Sequence, residues 1–272
     1  IAVELKSNRL IDLYDGNQAI RERRLKFIHD KSVEEDPTRV IRGARYASRL
    51  DFNLDDESLR QIQSTIKKWP WSWKPEERIN PAPAALGTRL RMELELLFKK
   101  EPWKKAIQLL QEWEAISLLD KDLQDDQQWE RRLNFAIKLE INLLTAFIAG
   151  ASESLFLAKR LQLPLKQQNL LSQSIEIQHY LSKLYGTREY LNWRASDWCK
   201  KVEDSNWSPD AIALVICLKP PLWKPLFRWL RRWQLIKSPI SAKELIEKGW
   251  EPGPSLQKEI KRLRYRQLDQ FH

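Results

Sequence analysis

Little in this sequence could build a disulfide-bonded, metal-centred or turn-rich protein. The two cysteines, Cys199 and Cys217, are too few and too isolated for a disulfide framework or a zinc site. This low cysteine content fits a reducing compartment, so we expect a cytoplasmic protein. Seven glycines in 272 residues leave little room for a sheet fold with many turns. No apolar run is long enough to span a membrane, and no membrane partner is expected.

Histidine is scarce as well, which argues against a metal-dependent or nucleophilic catalytic site. The dipeptide His29-Asp30 could belong to a metal-dependent HD phosphohydrolase, but that site needs further ligands, and only His179 and His272 remain. No Ser/His/Asp or Cys/His arrangement is recognisable either. The sequence therefore predicts no catalytic residue, no metal ligand and no bound cofactor within this chain.

Positive charge, by contrast, is abundant. The formal net charge is +10, the isoelectric point is near 9.5, and 31% of the residues are charged. Such a protein favours a polyanionic partner, because binding releases counterions from that partner. Charge alone fits a basic protein without such a partner equally well. The thirteen tryptophans could stack on bases, although packing between helices explains most of them more simply.

Charge is arranged most densely in residues 34–46. Asp36 precedes Pro37, which is typical of a helix N-cap followed by a proline in the first turn, so we expect a helix to start here. Arg39, Arg42 and Arg45 are spaced by three, and on a helix they form a slowly drifting line along one side. The acidic residues should therefore lie beside the first arginine at a helix N-terminus.

An aspartate and an arginine one turn apart could read the edge of a nucleobase. Asp36 would accept from the amino group of cytosine or adenine, and Arg39 would donate to the adjacent ring nitrogen. Uracil and guanine present the opposite order and would be repelled. Taken alone, the residues favour simpler interpretations: Asp36 is only an N-cap, and Arg39 forms a salt bridge with Glu35 or Glu22.

Several segments resemble one enzyme family. Glu35-Asp36-Pro37-Thr38-Arg39 resembles motif D, Glu-Asp-x-x-Arg, of the class II tRNA nucleotidyltransferase and bacterial poly(A) polymerase family. Further similar segments are residues 10–16 (motif C, an Asp and a Gly four residues apart), 44–52 (the sequence that follows motif D), 89–94 (motif E, an Arg and a Glu on one helical face) and 240–254 (the family's tail). The matches lie in about residues 1–110 and 238–268.

The resemblance implies roles for the matching residues. In the family, the acid and the arginine of motif D pair with the incoming base, so that the protein itself acts as template; here these residues are Asp36 and Arg39. Glu35 and Arg42 are then expected to brace that pair.

Motifs C and E imply supporting roles. Asp12 and Gly16 would be hinge residues, with a plain Asp/Gly turn as the simpler alternative. Arg89 and Glu93 would support the helix that carries motif D, with a weak surface ion pair as the alternative.

The chain also departs from the family pattern. Ala19 stands where motif C usually has a second acid, and Ala242 and Gln257 stand at glycine positions of the tail. We find no Gly-Ser followed by Asp-x-Asp and no Arg-Arg-Asp, which are features of the family's catalytic head. We therefore expect the neck, body and tail of a longer enzyme, either a fragment or half of a split protein. The missing head, in cis or in trans, would bind Mg²⁺, so that this chain alone binds but does not catalyse.

The predicted fold is all-α with a short N-terminal β-hairpin, residues 1–13, left from an α/β head. Predicted domains are 1–17 (head remnant and motif C hinge), 18–100 (neck), 101–237 (helical body) and 238–272 (basic tail). Helices are expected at about 87–100, 103–119 and 127–149. The alternating tryptophans and prolines of residues 69–87 predict an ordered loop between neck and body.

Two basic clusters are candidate RNA contacts. The first is Lys224, Arg228, Arg231 and Arg232; the second is Lys258, Lys261, Arg262 and Arg264. A solvated helix face is the simpler interpretation of each, and phosphate contact with tRNA is what the resemblance implies.

The predicted function is part of a template-independent enzyme that adds C and/or A to tRNA 3′ ends. This portion would select the incoming nucleotide, with ATP and CTP as substrates, and would bind tRNA. Alternatives are a stand-alone helical RNA-binding protein and a poly(A) polymerase, which motif D does not distinguish.

Overall fold

A computed structural model describes residues 2–68 and 84–270, most of which are helical. The α-helices are α1 (Gly16–Arg21), α2 (Ser32–Glu35), α3 (Thr38–Leu50), α4 (Asp56–Lys67), α5 (Ala84–Lys100), α6 (Trp103–Glu112), α7 (Lys121–Gln124), α8 (Trp129–Lys138), α9 (Leu143–Ile148), α10 (Ser154–Arg160), α11 (Leu165–Thr187), α12 (Ala195–Asp204), α13 (Pro209–Leu218), α14 (Trp223–Arg231), α15 (Ala242–Glu247) and α16 (Pro254–Gln270). Short 3₁₀ helices cover Ala115–Leu118, Glu189–Asn192 and Trp233–Leu235. The prediction of a mainly α-helical chain is confirmed.

Four two-residue strands form two small sheets in the described residues. Strands β1 (Ala2–Val3) and β2 (Leu10–Ile11) pair antiparallel, which confirms the predicted N-terminal hairpin. Strands β3 (Arg24–Leu25) and β4 (Asn53–Leu54) pair in parallel, and the sequence did not predict them. Residues 69–83 of the predicted loop, with Trp69, Trp71 and Trp73, lie outside the described residues, and its last four residues belong to α5.

Helix α3 is held by an apolar face. Val40, Ile41, Ala44 and Ala47 are each at most 1% exposed, and the helix packs against α5 and α6. It begins at Thr38, after Pro37, so the predicted N-cap at Asp36 is wrong by one position. The Asp36 carboxylate still accepts a hydrogen bond from the Thr38 amide at 3.2 Å, because the first amides of a helix lack intrahelical partners.

Three predicted helix boundaries need correction. The helix expected over 103–119 ends at Glu112, and Glu114 takes a left-handed conformation with φ 58°. The helix expected over 127–149 is two helices, α8 and α9, separated at Glu140, where φ is 57°. Helix α5 begins before residue 87, at Ala84.

A Cβ at Gly87 would lie 2.1 Å from the Arg160 carbonyl oxygen, so glycine is required for this close approach.

The chain divides into two compact units. The first unit comprises residues 1–130 and 143–168, and the second comprises residues 131–142 and 169–272. In the second unit, Trp198, Trp207, Trp229 and Trp233 are buried in one apolar cluster, as the packing interpretation of tryptophan indicated. None of the helices in residues 2–68 and 84–270 combines the length and apolar character needed to cross a bilayer.

Candidate functional site

A pocket in the first unit lies beside the beginning of α3. Its volume is about 340 Å³. The pocket is lined by Leu25, Lys26, Phe27, Ile28, His29, Ser32, Arg39, Arg42, Gly43 and Tyr46. One wall is therefore the segment from β3 to α2, and the opposite wall is a single face of α3. Of the predicted site residues, the structure brings Arg39 and Arg42 into this pocket.

The apolar wall is fixed by local contacts. The buried Phe27 donates its backbone N–H to Ser58 Oγ at 2.9 Å, which anchors the strand end to α4. A Cβ at Gly43 would lie 3.2 Å from Leu25 Cδ2, so glycine allows the wall to approach α3 closely. An apolar wall with guanidinium groups at the rim suits a flat, polar-edged ring. Sequence reasoning did not identify Phe27, Gly43 or Tyr46 as lining residues.

Arg39 is held at the rim by backbone and carboxylate oxygens. Its NH1 donates to the Ser32 carbonyl at 3.0 Å and lies 3.7 Å from Glu35 Oε2. The same Glu35 oxygen lies 3.4 Å from His29 Nε2. Of the two alternatives for Arg39, the salt bridge to Glu35 forms, whereas Glu22 pairs with Arg24. A guanidinium has five N–H donors, so Arg39 keeps donors for a ligand.

The Asp36 carboxylate does not line the pocket. Its Oδ1 accepts from the Thr38 amide at 3.2 Å and from Thr38 Oγ1 at 2.6 Å, and its Oδ2 forms a salt bridge with Arg89. A carboxylate has about four acceptor positions. Three are used, so one remains for a further donor at the start of α3.

A ladder of ion pairs joins α3 to α5. Arg42 donates to Glu93 Oε1 through Nε at 2.9 Å and NH2 at 2.6 Å, and Arg45 pairs with the other Glu93 oxygen. Arg45 also donates to Glu101 Oε1 at 3.2 and 3.1 Å, and Arg49 Nε donates to Glu101 Oε2 at 2.7 Å. The hydrogen bonds that Arg42 donates to Glu93 raise the pKa of Arg42. Hydrogen bonds from Arg49, and then Arg45, lower the pKa of Glu101 despite its burial.

The simpler alternative for Arg89 and Glu93, a surface ion pair with each other, differs from the partners that the structure gives them. Glu93 pairs with Arg42 and Arg45 and so connects α5 to α3, and Arg89 connects α5 to Asp36, two residues before α3. Glu93 is only 6% exposed, and buried carboxylates need such partners. The surface-pair alternative is therefore wrong.

Asp12 and Gly16 form a tight turn between β2 and α1. The Gly16 amide donates to Asp12 Oδ1 at 2.8 Å, and the Asn17 amide donates to Oδ2 at 2.7 Å. These backbone hydrogen bonds, the one from Asn17 foremost, lower the pKa of Asp12. Asp15, within the turn, is left-handed with φ 54°.

The two basic clusters belong to the second unit. All four residues of the first cluster are exposed on or directly after α14. In the second cluster, Lys258, Lys261 and Arg262 are exposed, and Arg262 is paired with Glu259 at 2.7 Å. Arg264 is partly buried, and it donates to Glu203 at 2.9 Å and to the Ile236 carbonyl at 2.7 Å. Its guanidinium therefore holds the C-terminal helix in place.

The described residues contain no group of three or more His, Cys, Asp or Glu side chains that could hold a metal ion. The chain does contain an Asp-x-Asp pair, Asp120 and Asp122. Asp120, however, accepts from the Leu123 amide at 3.0 Å and caps α7. Burial raises the pKa of Cys199 and of Cys217 to about 12, so neither thiol is poised as a nucleophile.

The sequence is similar in part to tRNA nucleotidyltransferases from other organisms. No protein-family model matches the chain. The chain is 31% identical to the CC-adding tRNA nucleotidyltransferase of Deinococcus radiodurans over 110 residues, which are 40% of this chain and 25% of that protein. It is 29% identical to the CCA-adding enzyme of Lactococcus lactis subsp. cremoris over 119 residues, which are 43% of this chain and 26% of that protein. The chain thus aligns with about a quarter of each relative.

Solved structures share the fold. A Thermotoga maritima CCA-adding enzyme complexed with tRNA matches with a TM-score of 0.63 at 20% identity, covering 96% of this chain and 64% of that one. A CCA-adding enzyme complexed with CTP matches with a TM-score of 0.60 at 20% identity, covering 95% of this chain and 62% of that one. The names of the curated relatives agree with the family that the motifs around Asp36 and Glu93 resemble. The curated relatives and the shared fold thus support the class II tRNA nucleotidyltransferase family for this chain.

Proposed function

We propose that this chain is the part of a tRNA nucleotidyltransferase that selects the incoming nucleotide and binds tRNA during addition of C and/or A to tRNA 3′ ends. The observation that carries the proposal is the pocket of about 340 Å³ with Arg39 and Arg42 on its α3 wall. This volume lies within the range of small-molecule sites, about 300–1,000 Å³. The chain's relatives include proteins named for adding CC, CCA and A.

In the proposed complex, the base of CTP or ATP enters between the segment from β3 to α2 and the face of α3. Arg39 donates to the ring nitrogen, since only part of its donor capacity is used by Ser32 and Glu35. Asp36 accepts from the amino group through its remaining acceptor position. Both groups are fixed before the base arrives, because Arg89 holds Asp36 and the Ser32 carbonyl holds Arg39. Preorganised polar groups discriminate against bases with the opposite order of donors and acceptors.

The two-metal chemistry belongs to a separate head domain in this proposal. Nucleotidyl transfer uses two metal ions held by clustered carboxylates, and Mg²⁺ is the ion that we expect. The head supplies them in cis or in trans. The role of the present chain is to choose the base and to hold the tRNA against that centre.

Base selection is tested by removing Arg39. In an intact enzyme, Arg39→Ala should lower the preference for CTP and ATP over UTP and GTP by roughly tenfold or more, because a lost hydrogen-bond partner at such a site costs about 1–3 kcal/mol. Asp36→Ala should act in the same direction, and tRNA binding should persist in both variants. Arg60→Ala is the matched control, since Arg60 lies on α4, outside the pocket lining, and donates to the Asp56 carbonyl of its own helix. An unchanged nucleotide preference in both Arg39→Ala and Asp36→Ala would contradict the proposal.

Binding to tRNA should depend strongly on salt. If five or six phosphates are contacted, the slope of log K against log salt should be about −4 to −5, at roughly 0.7–0.9 per phosphate. The combined variant Lys258→Ala/Lys261→Ala should flatten that slope by between one and two. Lys99→Ala/Lys100→Ala removes the same charge from exposed positions of α5 in the first unit and should leave the slope near the wild-type value. A wild-type affinity that does not change with salt would refute an RNA-binding role for these clusters.

A further inference from the structure

The second unit carries an aromatic surface outside both basic clusters. Tyr185, near the end of α11, and Tyr190, in the following 3₁₀ helix, stack with ring centroids 6.0 Å apart and planes 14° from parallel. Between them, Arg188 takes a left-handed conformation with φ 59°, which reverses the chain. This geometry is the offset parallel arrangement that aromatic rings prefer.

The stack has one anchored ring and one open ring. Tyr190 packs against the apolar cluster of the second unit. Tyr185 is 53% exposed. An aromatic ring that is held by a packed neighbour loses little conformational freedom when a ligand stacks on it. The pair is therefore a preorganised stacking surface, unlike a single exposed tyrosine.

Two arginines lie close to this surface along the chain. Arg188 lies in the turn between the two tyrosines and Arg194 follows the 3₁₀ helix; both are exposed, and neither forms an ion pair with a carboxylate within the part of the chain that the structure describes. The nearby acids are Glu189 and Asp197, and Asp197 is engaged with the Arg194 amide at 2.8 Å.

The aromatic and cationic pattern continues along α11 and α12. The Lys201 ammonium lies 4.2 Å from the centroid of the Tyr180 ring and 5.6 Å from that of Trp207. Tyr180 and Lys201 border a groove of about 430 Å³, which is also lined by Trp193, Lys200, Asp197 and Asp204. Alternating aromatic rings and cations are the composition that binds unpaired nucleotides, because rings stack on bases while cations contact phosphates.

We propose that the Tyr185–Tyr190 stack is a binding site for an unpaired nucleobase of RNA, with Arg188 contacting the adjoining phosphate. The inference rests on the proposed tRNA-binding function. It adds base stacking on an aromatic ring to the contacts between cations and phosphates. The base stacks on the open face of Tyr185. Stacking is tolerant of base identity, since every base has a π face, so this site holds RNA without reading its sequence.

The test separates stacking from charge. Tyr185→Ala in the full chain should weaken tRNA binding by roughly tenfold, the scale of one lost base stack. It should leave the salt slope unchanged, because no cation is removed. Tyr185→Phe keeps the ring and should bind like the wild type. Unfolding curves of both variants check that the exposed position is neutral for stability.

A second arm uses defined RNA probes. An RNA with an unpaired loop should show the Tyr185→Ala loss, and a blunt RNA duplex of equal charge should not. Wild-type tRNA affinity in Tyr185→Ala, or an equal loss on both probes, would overturn the stacking site while leaving the proposed function intact. Wild-type protein that fails to bind tRNA would overturn both.

Discussion

Replacing Glu101 by glutamine should lower the free energy of unfolding of the first unit by about 3 kcal/mol. The Glu101 side chain is fully buried and bridges Arg45, itself 8% exposed, and Arg49. Glutamine has a similar volume but no charge, so the buried Arg45 would lose one of its two carboxylate partners. The loss lies at the lower end of the usual range because Arg45 retains Glu93 and Arg49 reaches solvent.

Glu95→Gln is the matched control for this substitution. Glu95 lies on α5, is exposed, and pairs with Arg91 at 3.6 Å within the same helix. Its loss should change the free energy of unfolding by no more than about 0.5 kcal/mol. Denaturant titration followed by tryptophan fluorescence measures both variants. Equal stability of the two variants would show that the ladder contributes little.

The ladder also predicts a dependence of stability on pH. Hydrogen bonds from Arg49 and Arg45 lower the folded-state pKa of Glu101 below its ordinary value of 4.5. A lowered carboxyl pKa means that its stabilising contribution is present above the unfolded pKa and is lost as pH falls below it. Wild-type stability should therefore decline below about pH 4.5, and Glu101→Gln should decline less steeply over the same interval. Parallel pH profiles would contradict the assignment.

The sequence predicted helix α3 well because its signals are local. The Asp36-Pro37 start and the apolar spacing of Val40, Ile41, Ala44 and Ala47 need no distant partner. The partners of the α3 arginines could not be predicted from the sequence. Arg42 bonds to Glu93 and Arg45 to Glu101, which are 51 and 56 residues away, so the local spacing of the arginines carried no signal for these partners.

Only one wall of the pocket could be predicted from the sequence, because the other wall depends on contacts between distant residues. The α3 wall follows from the motif, whereas the opposite wall depends on the parallel pairing of β3 with β4. Two-residue strands carry almost no periodic signal. The breaks at Glu114 and Glu140 were missed because residues other than glycine take the left-handed conformation there, with φ 58° and 57°. Arg264 was grouped with its basic neighbours because sequence spacing does not show that Glu203 binds it.

We expect the largest effect in nucleotide incorporation when a catalytic head is added to the chain. The chain alone should incorporate no labelled CTP or ATP into tRNA that lacks its 3′ end, and incorporation should appear when the catalytic head of a relative is supplied in cis or in trans. The physical reason is that two catalytic metal ions need clustered carboxylates. Residues 2–68 and 84–270 contain no group of three potential ligands, and Asp120 of the Asp-x-Asp pair is engaged as a helix cap.

The N-terminal hairpin provides a structural control for that experiment. Val3, Leu5 and Leu10 are 53%, 94% and 47% exposed, and an isolated two-stranded hairpin is at best marginally stable. A head that extends this sheet would cover its apolar side chains and its edge. Leu5→Lys should therefore weaken activation by a head added in trans, with tRNA affinity unchanged. Leu191→Lys is the matched control, because Leu191 is 67% exposed in the second unit and should leave activation near the wild-type level. Robust incorporation by the purified chain alone would show that its own residues form a catalytic centre, and equal effects of the two lysine variants would show that the hairpin is not where a head binds.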